Sequence, residues 1–207
     1  MVTALLASRP GDFRIVALDN SLAMIQHCKA RAPGLGDISA GVGALEAMPF
    51  PREVFDVTLA MGVLEYAYAP AAVSELSRVT KNGGTVIISM LNPISPYRVT
   101  EWLVSWPLLR LTDFAIRSLR IPSSTSKGPG HSGIRAISAS KMRRLLKKQE
   151  LQISEIIYYD TRILAPPFDH ICHMFKRSEA EVRCPSVVNG WARWLGTAYL
   201  VVATKER

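Results

Sequence analysis

Apolar positions fall in short clusters separated by polar, glycine and proline breaks, and the spacing inside the clusters alternates between two periods. Residues 13–18 are a short β-rich apolar run, the pattern of a buried strand. It runs straight into Asp19, Asn20 and Ser21. Ser21 is placed to cap a helix over roughly 21–31, with Leu22, Ile25 and Cys28 inward. Pro33, Gly34 and Gly36 end that helix. Upstream, residues 3–8 read as the end of a helix closed by Pro10 and Gly11. Residues 37–42 form a weak strand, "MPFPREVFD" a loop with two prolines, and residues 55–62 a strong strand.

Pro70 opens a helix that runs to about Thr80, with Ala72, Val73, Leu76 and Val79 at helical spacing. "KNGG", 81–84, reads as a turn, and "TVIISML", 85–91, as a central strand. Strands alternating with helices at this spacing predict βαβ units and a mostly parallel sheet. After Asn92 and Pro93 the rhythm changes. Residues 96–121 carry Trp102, Leu103, Trp106, Leu109, Phe114 and Leu119, interrupted by Pro107, and predict one or two amphipathic helices inserted over the sheet. Residues 122–133 have the composition of a loop. A helix over 138–150, a strand at "LQISEIIYYD", a short helix over 186–195 with Trp191 and Trp194, and a strand at "TAYLVVATK" complete the chain. With no long helix between them, the last two strands are expected to pair antiparallel.

The length of 207 residues suits one domain with a substantial core. No apolar run approaches the roughly 18 to 20 residues needed to span a bilayer. The first residues lack the basic region of a secretory signal. Cys28, Cys172 and Cys184 are an odd number without C-x-x-C spacing, which fits a reducing cytoplasm rather than a disulfide framework. His170, Cys172 and His173 do not have a ligand spacing, so no metal site is expected. The net charge is +8, and the excess lies between Arg98 and Lys148, where only Glu101 and Asp113 oppose the lysines and arginines. "SKMRRLLKKQE" reads as a solvated helix face with Leu145 and Leu146 inward. The segment lacks the aromatic and basic interleaving of single-strand binders, and no nucleic acid is expected as a partner.

"FDVTLAMGVLEY", followed by "AAVSELSRVTKNGGTVIISMLNP", resembles the region from the fourth to the fifth strand of class I S-adenosylmethionine-dependent methyltransferases of the small-molecule type. "ALEAMPFP" resembles the loop before that fourth strand. The order F-D-V, L-E-Y, E-L-x-R-V, G-G and strand is specific only in combination. The resemblance covers roughly residues 3–160, and the C-terminal strand matches the family's antiparallel seventh strand. It implies an α/β, Rossmann-like, mostly parallel sheet with an antiparallel C-terminal strand. A single domain, 1–207, would carry an inserted helical lid over about 94–133.

The resemblance also implies S-adenosylmethionine as cofactor. In an open α/β sheet a ligand sits at the carboxyl ends of the strands, where an acid accepts hydrogen bonds from both ribose hydroxyls. By resemblance that acid is Asp19, followed by Asn20. Gly43-Ala44-Leu45 matches the place where the family often has Gly-Asp before an apolar residue. Ala44 therefore stands where an acid would hold the adenine amino group, while backbone near Leu45 still reaches the ring. Ala60, Met61 and Gly62 match the segment that lines the methionine end. The family's glycine-rich loop is expected roughly 20 residues before the acid. Counting back from Asp19, the chain is expected to begin just after that loop, without the first strand. Residues 41–43, "GVG", precede no helix and do not replace it.

The activity implied is methyl transfer to a small or lipophilic acceptor. Candidate acceptor-side residues are Tyr66, Tyr97, Trp102 and Trp106, with His131 as a candidate base. Glu65 reads as structural, or as a wall of the cofactor end, rather than as catalytic. Two rival readings stand beside this one. The chain is a non-catalytic methyltransferase-like subunit whose sheet is completed by a second copy or a partner chain, since a missing strand exposes two edges. Or it is a nicotinamide-dependent reductase, which the acid after the second strand fits equally well and which a parallel last strand would favour.

Overall fold

A computed structural model describes residues 14–31, 38–100, 135–161, 194 and 196–206. The first unit is β1 (Ile15–Asp19), α1 (Leu22–Arg31) and β2 (Ile38–Val42). β1 and β2 pair in parallel, from Ile15 beside Ile38 to Asp19 beside Val42. The second unit is β3 (Phe55–Ala60), α2 (Ala69–Val79), β4 (Thr80–Leu91), α3 (Pro96–Thr100), α4 (Ala139–Lys147), β5 (Leu151–Thr161) and β6 (Gly196–Lys205). Its four strands lie in the order β3-β4-β6-β5. β3 and β4 are parallel, whereas β6 runs antiparallel to both β4 and β5. The described sheets are mixed as expected: β1–β2 and β3–β4 are parallel, and the antiparallel C-terminal β6 contributes both antiparallel ladders. The antiparallel last strand is the topology expected to favour the methyltransferase over the reductase reading.

The core follows the periodicities. Leu64, Val73, Leu76, Val86, Ile88, Met90, Met142, Leu146, Tyr199 and Val201 form one buried cluster. α2 contributes its apolar stripe, with Pro70 in the first turn. α4 contributes Met142 and Leu146, with Leu145 half-buried at the margin. Ser138 caps α4 by accepting from the Lys141 N–H. The Tyr199 hydroxyl donates to the Ile137 carbonyl at 2.6 Å and so fixes the chain that enters α4. Burial pushes the Tyr199 hydroxyl far above its ordinary range, so it stays a donor.

Three local expectations change. Leu22 is 60% exposed and Ile25 is the buried residue of α1, so its inward face is narrower than the sequence pattern suggested. "KNGG" is not a turn between two elements but part of β4, an irregularity at which the ladder steps from Phe55 beside Thr80 to Val57 beside Thr85. Gly83 takes φ +77 there, and a Cβ on Gly84 would meet the Lys81 carbonyl oxygen at 2.8 Å. β3 stops at Ala60 because Gly62 turns the chain with φ +65. The expected helices over 3–8 and 186–195, the lid helices and the place of a glycine-rich loop fall outside the described residues, apart from α3 and Trp194.

The first unit is joined to the second through the β2–β3 connection. Glu75 and Arg78, one turn apart on α2, form a two-pronged ion pair with both contacts at 2.7 Å. Arg78 also donates to the carbonyls of Phe50 at 2.8 Å and Met48 at 3.0 Å. Glu75 accepts from the Met48 N–H at 2.9 Å. A charged fork thus satisfies loop backbone groups that have no ladder partner. By contrast, Val16 on β1 and Val57 and Leu59 on β3 are exposed. Among the described residues, β1 pairs with β2 alone and β3 with β4 alone.

The hydrogen bonds from Arg78 hold the Glu75 carboxyl below its ordinary range. Its contribution to stability is therefore complete above the carboxylate range and is lost as pH falls through it. Acid titration of the thermal midpoint should show this loss in the wild type and a flatter profile in Arg78→Met, which should also melt lower at neutral pH. A second variant, Tyr199→Phe, leaves the buried Ile137 carbonyl without its donor. Urea unfolding should show a loss of about 1–2 kcal/mol with an unchanged slope.

Candidate functional site

The carboxyl ends of β1 and β2 are tied together by the Gly43 N–H, which donates to the Asp19 carbonyl at 3.0 Å. The Asp19 side chain is half-buried, and its Oδ1 accepts the Ser21 N–H at 2.8 Å. This local turn starts α1 and fixes the carboxylate at the strand end. Oδ2 makes no hydrogen bond among the described residues and is available to a ligand. Asn20 is exposed beside it. Gly43 lies so close to β1 that an added Cβ would meet Leu18 Cδ1 at 2.8 Å and the leucine side chain would have to shift.

Ala44 is exposed at the start of a tight turn closed by the Ala47 N–H to the Ala44 carbonyl, and Leu45 packs against the core margin. With a methyl group at Ala44, this strand end offers no side-chain acceptor for an amine. The same turn reaches the second unit: Glu46 Oε1 accepts the Tyr68 N–H at 2.8 Å. The segments carrying Ala44 and Leu45 are thereby joined to the segment that follows β3.

At the end of β3, Ala60 is buried, Met61 half-buried and Gly62 exposed. The Gly62 N–H donates to Ser89 Oγ at 2.8 Å, so β4 holds the turn in place. Ser89, 3% exposed, was missed in the sequence, where its signal is a single hydroxyl inside the apolar run of β4. Beyond the turn, Val63 and Tyr66 are exposed and Leu64 is buried.

Glu65 is half-buried, and burial pushes its carboxyl above the ordinary range against the opposing pull of Arg98. Its main-chain carbonyl accepts the Arg135 N–H at 2.8 Å, bringing the entry to α4 beside the β3 end. The end of β4 turns at Asn92, whose Nδ2 donates to the Gly196 carbonyl and whose Oδ1 accepts the Ile94 N–H. Asp19, Ala44 and Leu45 therefore share one strand end, and Ala60, Met61, Gly62 and Tyr66 share another. Tyr97 lies in α3. Trp102, Trp106 and His131 lie outside the described residues. So do His170, Cys172 and His173, and no group of metal-ligating side chains occurs among the described residues.

Comparison with known proteins points to the same fold. Residues 1–88 match the family described as "Methyltransferase domain". The chain is 36% identical over 95 residues to a demethylmenaquinone methyltransferase of Renibacterium salmoninarum, covering 44% of this chain and 39% of that protein. It is 35% identical over 89 residues to a malonyl-[acyl-carrier protein] O-methyltransferase of Herminiimonas arsenicoxydans, covering 43% and 32%. The chain thus spans less than half the length of these curated relatives. Among solved structures it resembles a geranyl diphosphate C-methyltransferase of Streptomyces coelicolor, with TM-score 0.57 and 17% identity over 97% of this chain and 66% of that one. At that identity the likeness shows the fold alone. Residues 1–88 thus match a methyltransferase domain in sequence, and the chain has the Rossmann-like α/β fold of solved methyltransferases.

Proposed function

We propose that the protein binds S-adenosylmethionine at the carboxyl ends of β1 and β3 and transfers its methyl group to a small, lipophilic acceptor. The observation that carries this reading is Asp19, held at the end of β1 with Oδ2 available, in a chain whose first 88 residues match a methyltransferase domain. Asp19 and Asn20 would take the ribose hydroxyls, backbone at Ala44 and Leu45 would border the adenine, and Ala60, Met61 and Gly62 would border the methionine end. The bound cofactor supplies an electrophilic methyl group. The protein's task is to align the acceptor with it and to exclude water.

Apolar and aromatic residues suit a lipophilic acceptor. The named acceptors of two relatives, demethylmenaquinone and a malonyl group on a carrier protein, support a small-molecule substrate. Tyr66, Tyr97, Trp102 and Trp106 are assigned to the acceptor side, His131 to proton removal, and residues 94–133 to a lid on a single domain. The odd number of cysteines supports a cytoplasmic setting. No helix among the described residues is long and apolar enough to cross a membrane.

The exposed apolar side chains of β1 and β3 favour a second feature, a partner chain or second copy that covers these edges. Light scattering should give a mass above that of one 22.8 kDa chain, and a strictly monomeric mass for the isolated protein would count against a second copy. Calorimetry with S-adenosylmethionine tests the cofactor reading. Binding is expected at micromolar cofactor and should weaken about tenfold or more in Asp19→Ala, because hydrogen bonds to a charged group are lost. Silence up to millimolar cofactor would instead favour the non-catalytic partner subunit.

A further inference from the structure

Arg135, Lys141, Arg143, Arg144, Lys147 and Lys148 are all exposed, and none of these six side chains makes an ion pair among the described residues. Between positions 135 and 150 the sole acid is Glu150. Five of the six cations lie on or directly after α4, whose opposite side is anchored in the core by Met142 and Leu146. A cationic face of this density is usually relieved by neighbouring carboxylates, as Lys81 is by Asp56 and Lys205 by Glu53 elsewhere in the fold. Here the repulsion is left standing.

The second observation is what borders this face. The Arg135 N–H is bonded to the Glu65 carbonyl, so the entry to α4 abuts the segment after β3. That segment exposes Val63, Tyr66 and Tyr68, the two tyrosines at 68% and 60%. The segment after β4, which follows the neighbouring parallel strand, exposes Ile94 and Val99. Tyrosines and aliphatic side chains beside a row of cations have the composition of a surface that rests on a bilayer. The aromatic rings suit the headgroup level and the cations suit anionic lipid. A nucleic acid would be expected to find aromatic residues interleaved with the cations, and α4 has none.

We propose that the outer face of α4, together with the Tyr66 and Tyr68 segment, docks the protein on an anionic membrane. In this arrangement α4 lies outside the bilayer and the apolar residues at the ends of β3 and β4 face it. The docking does not depend on cofactor binding, so it stands or falls separately from the methyl-transfer reading.

The test is co-sedimentation of the full chain with vesicles, either an equimolar mixture of phosphatidylglycerol and phosphatidylcholine or phosphatidylcholine alone. Binding is expected to the mixed vesicles only, and rising salt should weaken it. The variant Lys141→Glu/Arg144→Glu should weaken it at least about tenfold, since each cation near an anionic surface contributes a several-fold factor. Its helix should persist, because Glu at position 141 completes a capping box with Ser138, and the thermal midpoint checks this. The variant Lys29→Glu/Arg52→Glu makes the same change in net charge away from α4 and should retain most of the binding. Tyr66→Ser/Tyr68→Ser should remove the part of the binding that survives high salt. Equal loss in both charge variants would show that net charge alone is responsible and would overturn the proposal. So would equal binding to pure phosphatidylcholine, or no sedimentation with either vesicle.

Discussion

The fork between Glu75, Arg78 and the backbone of residues 48–50 is the constraint on which the site depends. β1 and β2 form a two-stranded parallel sheet, and so small a sheet has little independent stability. No ladder connects it to the four-stranded sheet among the described residues. What connects the two is the β2–β3 connection, which lacks regular hydrogen bonding of its own. α2 supplies that bonding from a rigid element. One guanidinium takes two carbonyls while its carboxylate partner takes one N–H, and the two side chains hold each other. The family pattern E-L-x-R-V, legible at positions 75–79, thus has a physical reading. Its acid and base are one helical turn apart so that both meet the same loop.

That loop carries more than structure. It begins at Gly43 and Ala44, beside Asp19, and passes Glu46, which holds the backbone of Tyr68. The cofactor-side end of β1 and the acceptor-side segment after β3 are therefore placed relative to one another through residues 43–50 and α2. Parallel pairing puts the carboxyl ends of β1 and β2 together at one end of their sheet, and those of β3 and β4 together at one end of theirs. β6 contributes no end there. Its antiparallel course instead supplies carbonyl groups that hold Asn92 and so fix the exit from β4.

Much of this was legible because burial and period agree. The strands at 15–19, 55–60 and 85–91 and the helix over 69–79 could be read from apolar spacing and from Pro70. The antiparallel end could be read from the lack of a helix before "TAYLVVATK". What escaped depends on contacts between distant residues. "KNGG" reads as a turn that ends one element and begins another, yet it is an irregular stretch within β4, because β3 pairs on both sides of it. Leu22 follows the helical period but has nothing to pack against. Ser89 is an ordinary serine in the sequence. Its use as the partner of the Gly62 N–H comes from the tertiary turn geometry.

Two acids ten positions apart show how the fold divides its electrostatics. Hydrogen bonds from Arg78 hold the Glu75 carboxyl low, so its ionised form stabilises the fold. Burial pushes the Glu65 carboxyl up, and the pull of Arg98 does not restore it, so ionising Glu65 works against the fold. A raised carboxyl holds or releases its proton nearer neutrality than a lowered one. Glu65 sits after the strand end that carries Gly62, with its carbonyl tied to the entry of α4. Its environment therefore sets it apart from the Glu75 framework and groups it with the exposed segment around Tyr66.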